Sequence, residues 1–396
     1  MIEAIAAARA EVLLETYIFD FSRAALGVAT ALEQAAARGV VVRIVVDGVG
    51  TGDVPDEWKA RWQAAGAEWR VFNPARGWRL ALPQRWRRLH RKLCVVDGQI
   101  GFCGGINLLD DLYDPNHGEL AHPRFDFAVR VTGPLVADAH ETMTRLWTRQ
   151  QVLREALQHG AKESLRAVRA AARAGTDARD AGLVAASAAI ATTPAATEVG
   201  PDGALAALVL RDNVRFRRRI EGSYRVAIAQ ARSEILIANA YFIPGVRLQR
   251  ALLGAARRGV KVTLLLQGRY EYFMQHHASR AVYGALLAAG IEIIEYETSF
   301  LHAKVAVMDA AGGALATVGS SNLDPLSLLL AREANVFVRD AAFAAELRAP
   351  LQRAIAQHGR RVEPDSHMRR GLVARGLNWL AYALMRLALF VTGTRY

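Results

Sequence analysis

The stretch ARAEVLLETYIF (Ala8 to Phe19) returns as ARSEILIANAYF (Ala231 to Phe242), 223 residues later. The echo continues: AARGVVVRIVVDG (Ala36 to Gly48) matches ARRGVKVTLLLQG (Ala256 to Gly268), and AAGAEWRVF (Ala64 to Phe72) matches AAGIEIIEY (Ala288 to Tyr296). Offsets of 223, 220 and 224 residues lie far above solenoid periods, so the pattern is a duplicated domain and not a repeat array. Each copy reads as helix, apolar strand, helix, apolar strand, helix, strand. The runs Val40 to Val46 and Val260 to Leu266 lack regular polar alternation, as strands covered on both faces do. Gly39 and Gly259 close the preceding helices as C-terminal glycine caps. The implied fold is α/β, with mainly parallel or mixed central sheets, twice over.

The chain is 396 residues long, 52% hydrophobic and 22% charged, which leaves ample material for a core and excludes global disorder. Cys94 and Cys103 are the two cysteines, too few for a disulfide framework or a cysteine zinc site. The N-terminus carries Glu3 and Glu11 and no basic leader before an apolar stretch, so an intracellular protein is expected. A net charge of +12 suits either nucleic acid or an anionic membrane surface.

The chemistry sits in HRKLCVVDGQIGFCGGIN (His90 to Asn107) and HAKVAVMDAAGGALATVGSSN (His302 to Asn322), which share His-x-Lys, four residues, then Asp. Alternate side chains of a strand share a face, so His90 and Lys92 point one way and Arg91 the other; the same holds for His302 and Lys304. Asp97-Gly98 signals a tight hairpin that brings Gly104, Gly105 and Asn107 alongside the His/Lys end. A lone His-x-Lys pair is weak evidence, but two at matching places in a duplication are not. Paired imidazoles suit phosphoryl chemistry: one attacks phosphorus to give a phosphohistidine and the other protonates the leaving alcohol. Lys92, Lys304, Asn107 and Asn322 would hold the non-bridging oxygens.

These paired H-x-K-x4-D motifs resemble the phospholipase D superfamily, and within it the bacterial cardiolipin synthases, most closely their B type. The resemblance covers nearly the whole chain, including FDFAVRVTGP (Phe125 to Pro134), ANAYFIPG (Ala238 to Gly245) and the run from Leu301 to Asn335. It implies two phospholipase D-like α/β domains with the active site at their interface, where His90, Lys92 and Asn107 face His302, Lys304 and Asn322. It also implies Asp97 and Asp309 as motif members of structural character, and Asp126 and Glu333 as acidic positions that orient the histidines. The expected layout is a first domain over 1–150, a helical and flexible linker over 151–205 containing Thr192 to Gly203, a second domain over 206–360 and a C-terminal amphipathic helix over 361–396. The symmetric motifs leave the nucleophile open; His90 is taken here. Gly105 stands where the second copy has Ser320, and nine residues separate Asp309 from Gly319 against six between Asp97 and Gly104, so the second hairpin has the longer tip.

Two segments point to a membrane. No acidic residue lies between Glu68 and Asp97, while Arg76, Arg79, Arg85, Arg87, Arg88, Arg91 and Lys92 gather around Trp78 and Trp86; the offset falls from 224 to 212 across this stretch, a twelve-residue insertion in the first copy. Each basic residue near an anionic leaflet contributes about 1 kcal/mol. In GLVARGLNWLAYALMRLALFVTG (Gly371 to Gly393), Arg375, Asn378, Tyr382 and Arg386 share one side, with Leu377, Trp379, Leu380, Leu384, Leu387 and Phe390 around the rest. Two arginines argue against a spanning helix and for an interfacial one. His117, His122, His140, His276 and His277 lack metal-site spacing, and neither a metal nor a cofactor is implied.

The expected activity is phosphatidyl transfer from one phosphatidylglycerol to another, giving cardiolipin and glycerol at the cytoplasmic face of the bacterial inner membrane, with no nucleic-acid partner. A phospholipase D-type hydrolase uses the same residues and differs in whether water outcompetes the alcohol. A superfamily nuclease would direct the positive charge to DNA, against the apolar C-terminal helix.

Overall fold

The computed structural model describes residues 1–74, 86–114, 117–159, 203–211, 216–310, 312–324, 331–365 and 372–391. Residues 160–202 of the expected linker, and Arg76, Trp78, Arg79 and Arg85 of the basic loop, lie outside these residues.

The duplication is visible in the strand order. One sheet runs Glu68–Phe72, Val41–Asp47, Glu11–Thr16, Lys92–Val96, Ile100–Gly104, Ala128–Thr132. The other contains the same order over Glu292–Tyr296, Lys261–Gln267, Ala231–Asn239, Lys304–Ala310, Gly313–Gly319 and Ala331–Arg339, with Leu205–Arg211 and Gly359–Arg361 added at its edges. In each, the first three strands are parallel and the rest antiparallel. The sheets are therefore mixed, for a local reason. Helical crossovers such as Leu26–Ala37 and Val246–Arg257 return the chain parallel, whereas the motif hairpins reverse it within a few residues. Asp97 and Gly98 both take positive φ, 51° and 62°, as the mirror-image turn of a tight hairpin requires. Gly39 and Gly259 end their helices at φ 88° and 86°.

Each half has a core of its own, and two further clusters join them. Leu13, Leu93, Val95 and Cys103 of the first sheet cluster with Leu208, Ala334, Val336 and Val338 of the second, sealed by Val136, Ala139 and Met143 of the helix Pro134–His159. That helix runs through residue 150, the expected limit of the first domain. On the other side, Phe125, Phe127 and Val129 pack into the cluster of Leu301, Val305, Val318 and Leu347. A fully buried aliphatic side chain contributes roughly 1.5–3 kcal/mol, so these two clusters hold the halves in one fixed relation.

The C-terminal helix Leu372–Val391 lies along the helix Phe273–Ala288. Here the expected division of its faces is corrected. Asn378 is buried, its Oδ1 2.8 Å from His277 Nδ1, and Tyr382 packs beside Ala381 and Met385 against Ile243 and Ala278. A side-chain amide and a phenol tolerate a half-polar groove, so these two residues face the protein. Leu377, Trp379, Leu380 and Leu384 are left outward, with Trp379 62% and Leu380 56% exposed. Among the described residues, no helix is long and apolar enough to cross a membrane.

Candidate active site

The motif strands deliver their side chains where the two sheets meet. Lys92 pairs with Gly104 across the first hairpin, and Val305 with Val318 across the second, so the motif glycines and asparagines fall at the His/Lys ends. The extra residues of the second hairpin go to its far tip, where Ala310 pairs with Gly313.

Each histidine is then clamped by the opposite half. The His90 amide donates to Arg332 O at 3.0 Å, and the His302 amide donates to Phe125 O at 2.9 Å. Arg332 and Phe125 immediately precede Glu333 and Asp126, so backbone pairing brings each carboxylate to the other half's imidazole. His302 Nδ1 lies 2.6 Å from Asp126 Oδ2, and His90 Nδ1 lies 3.0 and 3.1 Å from the two Glu333 oxygens. A carboxylate only accepts, so each Nδ1 carries the proton and each Nε2 keeps its lone pair for chemistry. Burial favours an un-ionised Glu333, but the charges and hydrogen bonds of His90, Lys92 and Ser320 outweigh it and hold the carboxyl below its ordinary range.

The halves differ in how the carboxylate is seated. Ser320 Oγ donates to Glu333 Oε2 at 2.5 Å. In the first half Gly105 replaces that serine, and a Cβ there would fall 2.4 Å from Asp126 Oδ1. The side chain of Asp126 is one carbon shorter than that of Glu333, so it reaches His302 only with the backbone this close. Aspartate with glycine and glutamate with serine are two solutions to one spacing.

Lys92 Nζ donates to His90 O at 2.7 Å, and Lys304 Nζ donates to His302 O. Burial brings Lys92 down to about 7, depresses Lys304 in the same direction, lowers His90 and brings His302 to about 4. The charges of both lysines act on both imidazoles, which places all four side chains around one space. Both imidazoles are thereby neutral near pH 7; an anion placed between them would favour the charged forms of the lysines and of an imidazole. Asn107 Oδ1 accepts from Ile18 N at 3.3 Å, and Asn322 is buried beside the second pair.

Asp97 and Asp309 sit elsewhere. Asp97 accepts from the amides of Arg9, Ala10 and Glu11 at 2.8–3.2 Å, and Asp309 accepts from those of Ser233 and Glu234. Both fasten a hairpin tip to the start of the neighbouring strand, away from the imidazoles.

Several residues that sequence reasoning passed over contribute. The buried Asp47 accepts from Leu89 N at 2.7 Å and from Arg88 Nη1 at 3.2 Å; Gln267 Oε1 accepts from Leu301 N at 3.0 Å. Asp47 and Gln267 are equivalent in the duplication, and each fixes the residue before a motif histidine. Aligning polar residues of the repeat, and not only the motifs, would have found them. Arg91 points away from His90 and pairs with the buried Glu15, where the second half has Ala303 and Ala238. The Tyr17 ring lies 4.8 Å from the His90 ring, with its hydroxyl pushed up to about 12 by burial and by Asp47. Tyr241 and Glu271 occupy the second half's side of the site, Tyr241 Oη donating to Glu271 Oε2 at 2.6 Å. The remaining histidines named in the sequence have partners outside the site: His117 pairs with Asp114, His140 with Glu11, His276 with Arg280 and His277 with Asn378, and the His122 ring lies 6.5 Å from that of His358.

Comparison with known proteins gives a consistent result. A family model described as "Cardiolipin synthase, PLD-like domain" matches residues 1–120 and 224–355. The chain is 35% identical to cardiolipin synthase B of Salmonella typhimurium over 372 residues, 91% of this chain and 78% of that protein, and 34% identical to the Escherichia coli K12 counterpart over the same spans. Among solved structures, phosphatidylserine synthase from Haemophilus influenzae superimposes with a TM-score of 0.63 at 12% identity, covering 98% of this chain and 90% of that one, a likeness of fold.

Proposed function

Because this chain belongs to the cardiolipin synthases of the phospholipase D superfamily, we propose that it transfers the phosphatidyl group of one phosphatidylglycerol to the terminal hydroxyl of another, releasing glycerol. The observation that carries the reading is the reciprocal clamp: two imidazoles with free Nε2 atoms, each oriented by a carboxylate from the opposite half, between two buried lysines.

In the first step the charge of the bound phosphodiester favours a proton on His302 Nε2 as well as Nδ1; His90 Nε2 attacks phosphorus, the bond to the glycerol oxygen breaks and His302 Nε2 passes that proton to the leaving alcohol. Lys92, Lys304, Asn107 and Asn322 hold the non-bridging oxygens. In the second step His302 takes the proton of the incoming hydroxyl as its oxygen attacks phosphorus and His90 leaves. His90 is given the nucleophile's role because its side of the site carries the Tyr17 ring, whereas the polar Tyr241 and Glu271 lie on the side of Lys304, where an alcohol would enter and leave. Asp97 and Asp309 act as fasteners, and no step calls for a metal or cofactor.

The outward face of Leu377, Trp379, Leu380 and Leu384, with the exposed Tyr270, Tyr272 and Phe273 at the start of the helix beneath, suits the headgroup region of an anionic bilayer, as does the net charge. We place the protein on the cytoplasmic face of the bacterial inner membrane. The test is to incubate the purified protein with phosphatidylglycerol vesicles and follow lipids and glycerol by mass spectrometry. Cardiolipin with an equal amount of glycerol is expected; phosphatidic acid alone would make the protein a hydrolase, and no lipid turnover would refute both.

A further inference from the structure

The duplication makes the two sides of the active site comparable residue by residue, and they differ most after the second strand of each half. Thr51 and Glu271 are equivalent there, 220 residues apart. Thr51 is closed on the loop that follows Glu11–Thr16: its hydroxyl donates to Tyr17 O at 2.9 Å and accepts from Phe19 N at 2.9 Å. Glu271 instead projects a carboxylate toward the site. Oε2 accepts from Tyr241 Oη at 2.6 Å, and Oε1 has no hydrogen-bond donor among the described residues. The carboxylate acts electrostatically on Lys304 and on the Arg124–Asp114 pair, whose members are 2.6 Å apart in the segment leading to Asp126. The Tyr272 ring stands 6.2 Å from that of Tyr241. Burial raises Glu271, whose side chain is half-buried, so Oε1 stays open to a donor from the site.

A carboxylate beside a phosphate pocket repels the phosphate itself, so its use must lie with another part of the substrate. The acceptor in the reaction above presents two adjacent hydroxyls, one to attack and one to spare. Resting on that reading, we propose that Glu271, held by Tyr241, is the subsite for the acceptor's polyol headgroup. Its Oε1 accepts a hydrogen bond from the secondary hydroxyl, and this turns the primary hydroxyl toward phosphorus. The bond that forms is still phosphorus to primary oxygen, the bond that breaks is phosphorus to His90 Nε2, and the proton goes to His302. Glu271 neither gains nor loses one, which makes it a positioning residue.

The test uses the full chain with phosphatidylglycerol vesicles and two soluble alcohols, deuterium-labelled glycerol, whose transfer product is phosphatidylglycerol of shifted mass, and 1-propanol, comparing wild type, Glu271→Gln and Tyr241→Phe. A site built to bond a hydroxyl discriminates against an analogue lacking it. The wild type is therefore expected to favour glycerol over 1-propanol. Glu271→Gln should lower that preference about tenfold or more and lower the cardiolipin to phosphatidic acid ratio in the same sense. Tyr241→Phe should act in the same direction but less, since the carboxylate remains. Both readouts are ratios within one sample, so partial unfolding cancels. Unchanged ratios in both variants, whatever the total turnover, would overturn the subsite. A wild type that makes phosphatidic acid alone, even with alcohol present, would instead overturn the transfer reading on which it rests.

Discussion

Replacing Asp126 by Asn tests the reciprocal clamp at its tighter contact. The substitution keeps the size of the side chain and leaves an oxygen able to accept, but removes the charge 2.6 Å from His302 Nδ1. A hydrogen bond to a charged group contributes about 1.5–3 kcal/mol, and each 1.36 kcal/mol is tenfold in rate. If the bond tightens as His302 becomes an imidazolium, loss of the charge should lower kcat/KM by roughly 10- to 150-fold. His302 should also titrate lower still, because Asp126 is among the groups holding its value up against burial. The assay is cardiolipin formation from phosphatidylglycerol vesicles, with a thermal melt as the check on folding. In a His302→Ala background the same substitution should add almost nothing, since the effect runs through that imidazole. Activity within twofold of wild type in a folded Asp126→Asn protein, or an undiminished loss in the His302→Ala background, would refute the reasoning.

Gly105→Ser should be no gain despite restoring the second half's residue: its Cβ displaces Asp126, and activity should fall at least tenfold with the melting temperature nearly kept. At Glu15 and Arg91, either single alanine strands a buried charge and should cost about 3–5 kcal/mol, while the double alanine, which copies Ala238 and Ala303, should be more stable than either single in denaturant unfolding. Lys92 titrates near 7 in the free protein, so kcat/KM for the anionic donor should fall as pH rises through about 7. The stability contribution of Lys92 should run the opposite way. Between about pH 7 and the ordinary lysine value the unfolded chain binds the proton more tightly, and stability rises with pH. Trp379→Glu with Leu380→Glu should weaken binding to phosphatidylglycerol vesicles in a sedimentation assay by tenfold or more, with the fold intact.

What was legible in the sequence follows from what a repeat preserves. The sheets, their helices and the paired motifs appear in both copies, so the pattern of Ala8 to Phe19 against Ala231 to Phe242 carries the fold. The face shared by His90 and Lys92 follows from strand geometry alone, and the opposite aim of Arg91 with it, though not its burial against Glu15. What one linear sequence conceals is the exchange between halves. Asp126 and Glu333 stand out as acidic positions, but their crossed pairing depends on backbone hydrogen bonds between segments more than 170 residues apart. Glu15 with Arg91, and Tyr241 with Glu271, are illegible for a related reason: the equivalent positions hold Ala238 with Ala303 in one case and Ile18 with Thr51 in the other, so the repeat offers no second instance. The apolar and polar stripes of the C-terminal helix follow from its residue spacing, but which stripe faces the protein depends on a partner for Asn378, and His277 is distant in sequence.

The central claim is a covalent phosphatidyl-histidine formed on one imidazole and resolved by the other. The most direct measurement is to mix His302→Ala protein with phosphatidylglycerol vesicles, quench under alkaline conditions and map the adduct by peptide mass spectrometry. The account expects a phosphatidyl group on His90, absent from His90→Ala. An adduct on His302 in the His90→Ala protein with none on His90 would reverse the roles, and no adduct in either variant while the wild type turns over would contradict the covalent mechanism itself.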